Sequence, residues 1–101
     1  MIEELTRLII DSTRELAAEQ GLELQGEPRP ETQLFGDGGV LDSMALVSLV
    51  IAVEQAIEEK YGVGVALADE KALSQHSSPY RTIASLAAYA AGELGARRKN
   101  G

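Results

Sequence analysis

An all-α domain is what this sequence predicts, and three observations predict it. Hydrophobic residues make up 45% of the 101 residues but aromatics only 4%, so the core has to be built from Leu, Ile, Val and Ala. Long alanine-rich and leucine-rich runs favour helix over sheet. Apolar residues also recur at helical spacing near both ends of the chain and run almost unbroken through residues 44–53. A chain of this length is expected to be one domain, 1–101, near the small end of what folds on a single core. The ordered part is expected over about residues 2–95, followed by a basic tail at 96–101.

Residues 2–20 read as an amphipathic helix. Ile2, Leu5, Ile9, Ser12 and Leu16 follow one face, Leu8 widens it, and Glu4, Arg7, Asp11, Arg14 and Glu15 take the other faces. Gly21 is placed to stop the helix in a left-handed conformation. A connection of about twenty residues follows, longer than the ~12–15 at which loops inside compact domains become uncommon and often functional. Pro28 and Pro30 force an extended path, and Gly36, Gly38 and Gly39 punctuate its end. Leu34, Phe35, Val40 and Leu41 are expected to tack it onto the core.

A second helix is expected to begin at Asp42-Ser43, with the Asp42 carboxylate accepting from an orphan N–H of the first turn. From Met44 to Val53 every residue except Ser48 is apolar, more than one buried stripe requires. Val47, Leu49, Val50, Val53 and Ile57 form a core stripe. Met44, Ser48, Ile51 and Gln55 form a second line that starts beside Ser43, and two accounts of it stand open: loop residues cover it, or partner proteins do. The helix runs to Tyr61 and stops at Gly62. Val63 and Val65 then face inward from a short extended link, and residues 67–75 hold one short helix anchored by Leu73. His76, the one histidine, falls in a loop with no serine–acid pair around it. Thr82 caps a last helix, with Tyr80 packing back on its first turn. Ile83, Leu86, Ala87, Ala90 and Leu94 form its buried stripe, Gly95 ends it, and Arg97-Arg98-Lys99 make the basic tail near its C-terminal dipole.

Composition excludes several functions. A net charge of −7 repels phosphate backbones and argues against nucleic acid as a partner. With no cysteine there is neither a disulfide framework nor a thiolate metal site. An EF-hand counted from Asp37 would put Asp42 where its glycine belongs and Ser48 where its glutamate belongs, so no metal site is expected there. Met1-Ile2-Glu3-Glu4 lacks the basic start of a signal peptide, and no apolar segment reaches the ~18 residues of a membrane span. A cytoplasmic monomer that does not bind membranes is the expectation.

Ser43 is the residue that carries chemistry. As a hydrolase nucleophile it would need a base within reach, an orienting third group and an oxyanion hole. The surrounding Leu41-Asp42-Ser43-Met44-Ala45 is not the Gly-x-Ser-x-Gly of a nucleophile elbow, and no strand precedes it. No catalytic residue is expected. As a modification site, Ser43 needs only exposure, a favourable field and a recognisable neighbourhood. The positive end of a helix dipole stabilises a phosphodiester by ~0.3–1 kcal/mol.

Leu41-Asp42-Ser43-Met44 resembles the attachment site of the acyl carrier protein family, whose Asp-Ser-Leu or Asp-Ser-Met serine carries phosphopantetheine. The order of elements extends the resemblance over most of the chain, through the long first loop, the serine opening the second helix and Tyr80-Arg81-Thr82-Ile83 before the last. The resemblance implies a four-helix bundle of acyl-carrier type with a long first loop and a short third helix. It implies that Ser43 accepts 4′-phosphopantetheine from coenzyme A through a magnesium-dependent phosphopantetheinyl transferase, with Asp42 as the flanking motif residue. The arm's thiol then holds acyl or aminoacyl groups as thioesters, so the protein itself is not an enzyme. Implied partners are the transferase, an acyl-loading ligase or synthase, and downstream acyl-transfer enzymes, recognised through Leu41, Met44, Ile51, Glu54 and Glu58. Three features depart from the fatty-acid carriers. Ala45, Ser48 and Ile51 leave the first half of helix two uncharged, that helix is about a turn longer, and the segment before the last helix is extended. These favour a freestanding carrier of specialised polyketide, peptide or lipid synthesis. The alternative is an unmodified helical adaptor that binds a partner through the apolar face of helix two.

Overall fold

The computed structural model describes residues 2–21, 27–34, 41, 43–67 and 80–99, with the side chains of Ser43 and of 97–99 left aside. Among the described residues the chain is all helical, with three helices and no strand: α1 (Ile2–Gln20), α2 (Ser43–Tyr61) and α3 (Ile83–Lys99). The expected short helix at 67–75, apart from Leu67, lies outside them, as do Phe35, Val40, Asp42, Leu73 and His76.

α1 is the helix against which both others pack. Leu5, Ile9, Thr13, Leu16 and Ala17 are its buried residues, with Glu3 and Glu4 in the first turn where the dipole favours acids. The face is rotated from the expected one. Ile2 is 52% exposed and Ser12 only half-buried. Thr13 enters the core because its hydroxyl donates to the Ile9 carbonyl at 2.8 Å, which removes the cost of burying it. Gly21 then turns the chain at φ 66°.

The connection meets α3 through its main chain. Leu34 N–H donates to Arg81 O at 2.7 Å, beside an isolated bridge between Gln33 and Thr82. Leu34 is fully buried. The opposite end of α2 is fixed to the start of α1: the Tyr61 hydroxyl donates to Glu4 at 2.9 Å and the Lys60 ammonium lies 4.0 Å from the same carboxylate. α2 ends in an αL cap, with Gly62 at φ 70° donating to Glu58 O at 2.9 Å. Val65 is buried and Val63 half-buried, so both valines of the following link pack inward.

The start of α3 is satisfied at every orphan donor. Thr82 N–H donates to Ser85 Oγ and Ser85 N–H to Thr82 Oγ1, both at 3.0 Å, a reciprocal capping box. Ile83 N–H donates to Thr32 O at 3.2 Å and Ala84 N–H to Pro30 O at 2.7 Å. Ile83, Leu86, Ala87, Ala90 and Leu94 are buried as expected. Gly95 does not end this helix, which continues to Lys99. Glycine stops a helix by turning left-handed, and among the described glycines only Gly21 and Gly62 do so.

One aliphatic cluster joins the three helices with Leu34, Leu41, Val65 and Leu67 from the connections. Among the described residues Tyr80 is its one fully buried aromatic member, set edge-on to Tyr89 at 6.2 Å between ring centroids. The radius of gyration, 12.7 Å, matches the ~13 Å of a compact domain this size. No helix among the described residues is long and apolar enough to cross a membrane.

Candidate functional site

Ser43 is the first residue of α2, so its main chain stands at the positive end of a 19-residue helix. The approach to it is anchored two residues earlier. Leu41 is 6% exposed, and its N–H donates to the Leu34 carbonyl at 2.9 Å. Because Leu34 is itself bonded to Arg81, a backbone relay ties the start of α2 to the residues just before α3. Leu41 therefore belongs to the core, as expected of a residue that tacks the connection down, and not to the recognition surface to which it was also assigned. Its side chain is what holds the loop base down.

Beyond Ser43, α2 divides into two faces. Ala45, Leu46, Leu49, Val50, Val53 and Ile57 are buried. Met44 is 81% exposed, Val47 40% and Ile51 44%, and Ser48, Gln55 and Glu58 are exposed beside them. Val47 thus leaves the expected core stripe: at 3.6 residues per turn it lies about 120° round the axis from Val53. Met44 and Ile51 of the second apolar line are thus exposed, while the loop residues at 35–40, one of the two expected kinds of cover, lie outside the described residues. The first half of that line carries no charge, while Glu54, Glu58 and Glu59 make its far end acidic.

Glu54, expected to face a partner, is half-buried, and its carboxylate accepts the Leu67 N–H. Leu67 is fully buried, and its carbonyl accepts the Tyr80 hydroxyl. Nothing in the sequence pairs Glu54 with Leu67, because the contact depends on how the link after Gly62 folds back. Asp42, expected as cap and flanking residue, lies outside the described residues.

Two clefts open elsewhere. One of about 780 Å³ runs between α1 and the end of α2, lined by Glu3, Glu4, Asp11, Glu15 and Glu59 together with Arg7 and Lys60. The other, about 700 Å³, lies between α1 and the connection and is lined by Ile2, Ile10, Pro28, Pro30 and Ala84 among others. Neither includes a residue of the α2 start, and no group of ligating side chains able to hold a metal occurs among the described residues.

A hydroxyl residue at a helix start can accept a phosphodiester, and the free helix face behind it can meet a second protein. Comparison with protein-family models, with curated proteins and with solved structures finds no match.

Proposed function

We propose that the protein is a carrier of acyl-carrier type, on which Ser43 is the attachment point for 4′-phosphopantetheine. The observation that carries this reading is the pairing of Ser43 at the first position of α2 with Met44, 81% exposed, at the second. The residues fit the group. A hydroxyl is the one nucleophile the attachment needs, and the helix dipole favours the phosphate that results. Two residues before the serine, Leu41 is buried and bonded to Leu34, which in turn is bonded to Arg81 just before α3. When bound, the arm supplies the thiol that this cysteine-free chain lacks, and acyl or aminoacyl groups ride on it as thioesters.

The chain's own part is to position and present, and the chemistry belongs to its partners. A phosphopantetheinyl transferase, a loading ligase or synthase and the acyl-transfer enzymes would meet Met44, Val47 and Ile51, with Glu58 at the acidic end. Such contacts are small and quick to separate, as a shuttle needs. The fourth, short helix of the bundle belongs to residues 67–75 in this reading. The working location is the cytoplasm, in a specialised polyketide, peptide or lipid pathway.

Intact mass after incubation with coenzyme A, magnesium and a broad-specificity transferase tests the proposal. The expected result is a gain of one phosphopantetheinyl group in wild type and none in Ser43→Ala. A second reading draws on the same exposed face, an adaptor that binds a helix without modification. It requires no mass gain, and partner binding that survives Ser43→Ala but is lost in Met44→Glu.

A further inference from the structure

The first turn of α3 takes its caps from two sources. The N–H of Ser85 goes to Thr82 within the helix, whereas those of Ile83 and Ala84 go to the carbonyls of Thr32 and Pro30 in the connection. In return Leu34 N–H donates to Arg81 O, which with the Ile83 bond makes the isolated bridge of Gln33 to Thr82. Among the described residues, the main-chain bonds that link 30–34 to other elements run to Arg81, Ile83, Ala84 and Leu41.

Little else holds this segment down. Pro30, Glu31 and Gln33 are exposed and Thr32 is half-buried, so Leu34 is its one fully buried side chain. Stretches with few buried apolar contacts and exposed main-chain bonds open at a lower free energy than a core does. These bonds also depend on one another. If the first turn of α3 frays, the carbonyls of Pro30 and Thr32 lose their donors. If the segment lifts, Ile83 and Ala84 are left with the orphan N–H groups of a bare helix start. The bond from Leu41 ends on the Leu34 carbonyl, so it goes with them.

We propose that residues 30–34, the first turn of α3 and Leu41 form one strap, which opens as a unit while the three helices stay packed. The start of α3 then governs whether Leu41, two residues ahead of α2, is held or free. The strap works whether or not Ser43 carries a group.

Native-state amide hydrogen exchange of the full-length protein, followed by NMR from zero to moderate urea, tests it. The amides of Leu34, Leu41, Ile83 and Ala84 should share one opening that depends weakly on urea, and should exchange faster than those of Ile9, Leu49 and Ala90. Thr82→Ala should accelerate all four by one common factor of about fivefold, and Thr82→Ser should restore them. Ile57→Val, a change in the core near the far end of α2, should accelerate Leu49 by about fivefold. It should leave the four strap amides at their wild-type rates, because Ile57 stays packed when the strap lifts. The strap is overturned if the four amides exchange only together with the core, or if Ile57→Val accelerates them as much as it does Leu49. It is equally overturned if Leu41 keeps its rate in Thr82→Ala while Ile83 loses protection.

Discussion

Thr82 and Ser85 carry more of the fold than their size suggests. Each side-chain oxygen accepts the other's main-chain N–H, and the next two donors go to Thr32 and Pro30. The cap thus joins the start of α3 to the connection that leads to Ser43. Thr82→Ala should cost about 1 kcal/mol, within the ~0.5–2 kcal/mol known for lost caps, read as a lower urea midpoint at unchanged slope. Thr82→Ser should recover most of it. This cap was readable from the sequence because a threonine directly precedes a regular apolar stripe. Thr13 was not readable, since a hydroxyl becomes a core residue only when a carbonyl one turn back is free to take its proton, as Ile9 does here. Ile2 and Ser12, which fit the spacing as well, stay at the surface or its edge. Leu41 was read both ways, as a core anchor and as a recognition residue, and its burial and its bond to Leu34 favour the first.

Among the elements, the ends of helices divide into those that glycine sets and those it does not. Gly62 sits at φ 70° and closes α2, whereas Gly95 lies inside α3 with open space where a Cβ would go. The two should respond to alanine with opposite sign. Gly95→Ala should raise stability by ~0.5–1 kcal/mol, because it removes the entropy cost of glycine inside a helix. Gly62→Ala should lower it, because a left-handed alanine is strained. Thermal melts resolve the difference, since 1 kcal/mol moves Tm by ~4–8 °C in a domain of this size. A sequence carries the glycine but not its φ, which is why one stop was anticipated correctly and the other was not. α2 shows the same boundary between pattern and packing. An apolar run on every side has no period to read, so Val47 was assigned inward, and only the fold identifies Met44, Val47 and Ile51 as the open side.

At the scale of the whole molecule, α1 serves as the post on which α2 and α3 are mounted, and the connections cross between them by main-chain bonds. In this arrangement Met44, Val47 and Ile51 of α2 are the exposed large apolar residues of that helix. The three described helices and the aliphatic character of the core were legible from spacing and composition alone, while the short helix expected at 67–75 lies, apart from Leu67, outside the described residues. The position of Ser43 at a helix start was legible too, from the glycine loop and the apolar run on either side of it. The relay from Leu41 through Leu34 to Arg81, and the hold of Glu54 and Tyr80 on Leu67, were not, because each joins residues far apart in sequence through geometry that no local pattern encodes.

The central claim is that Ser43 is where a phosphopantetheine arm is joined to this chain. Its most direct test is the site of the bond. After reaction with coenzyme A and the transferase, the protein would be digested, and the peptide that spans α2 fragmented in a mass spectrometer. The account predicts that the added group maps to Ser43, with Ser48, the other serine of α2, unmodified. A group found on Ser48 or on any other residue, or a fully recovered unmodified peptide from protein that remains folded, would contradict it.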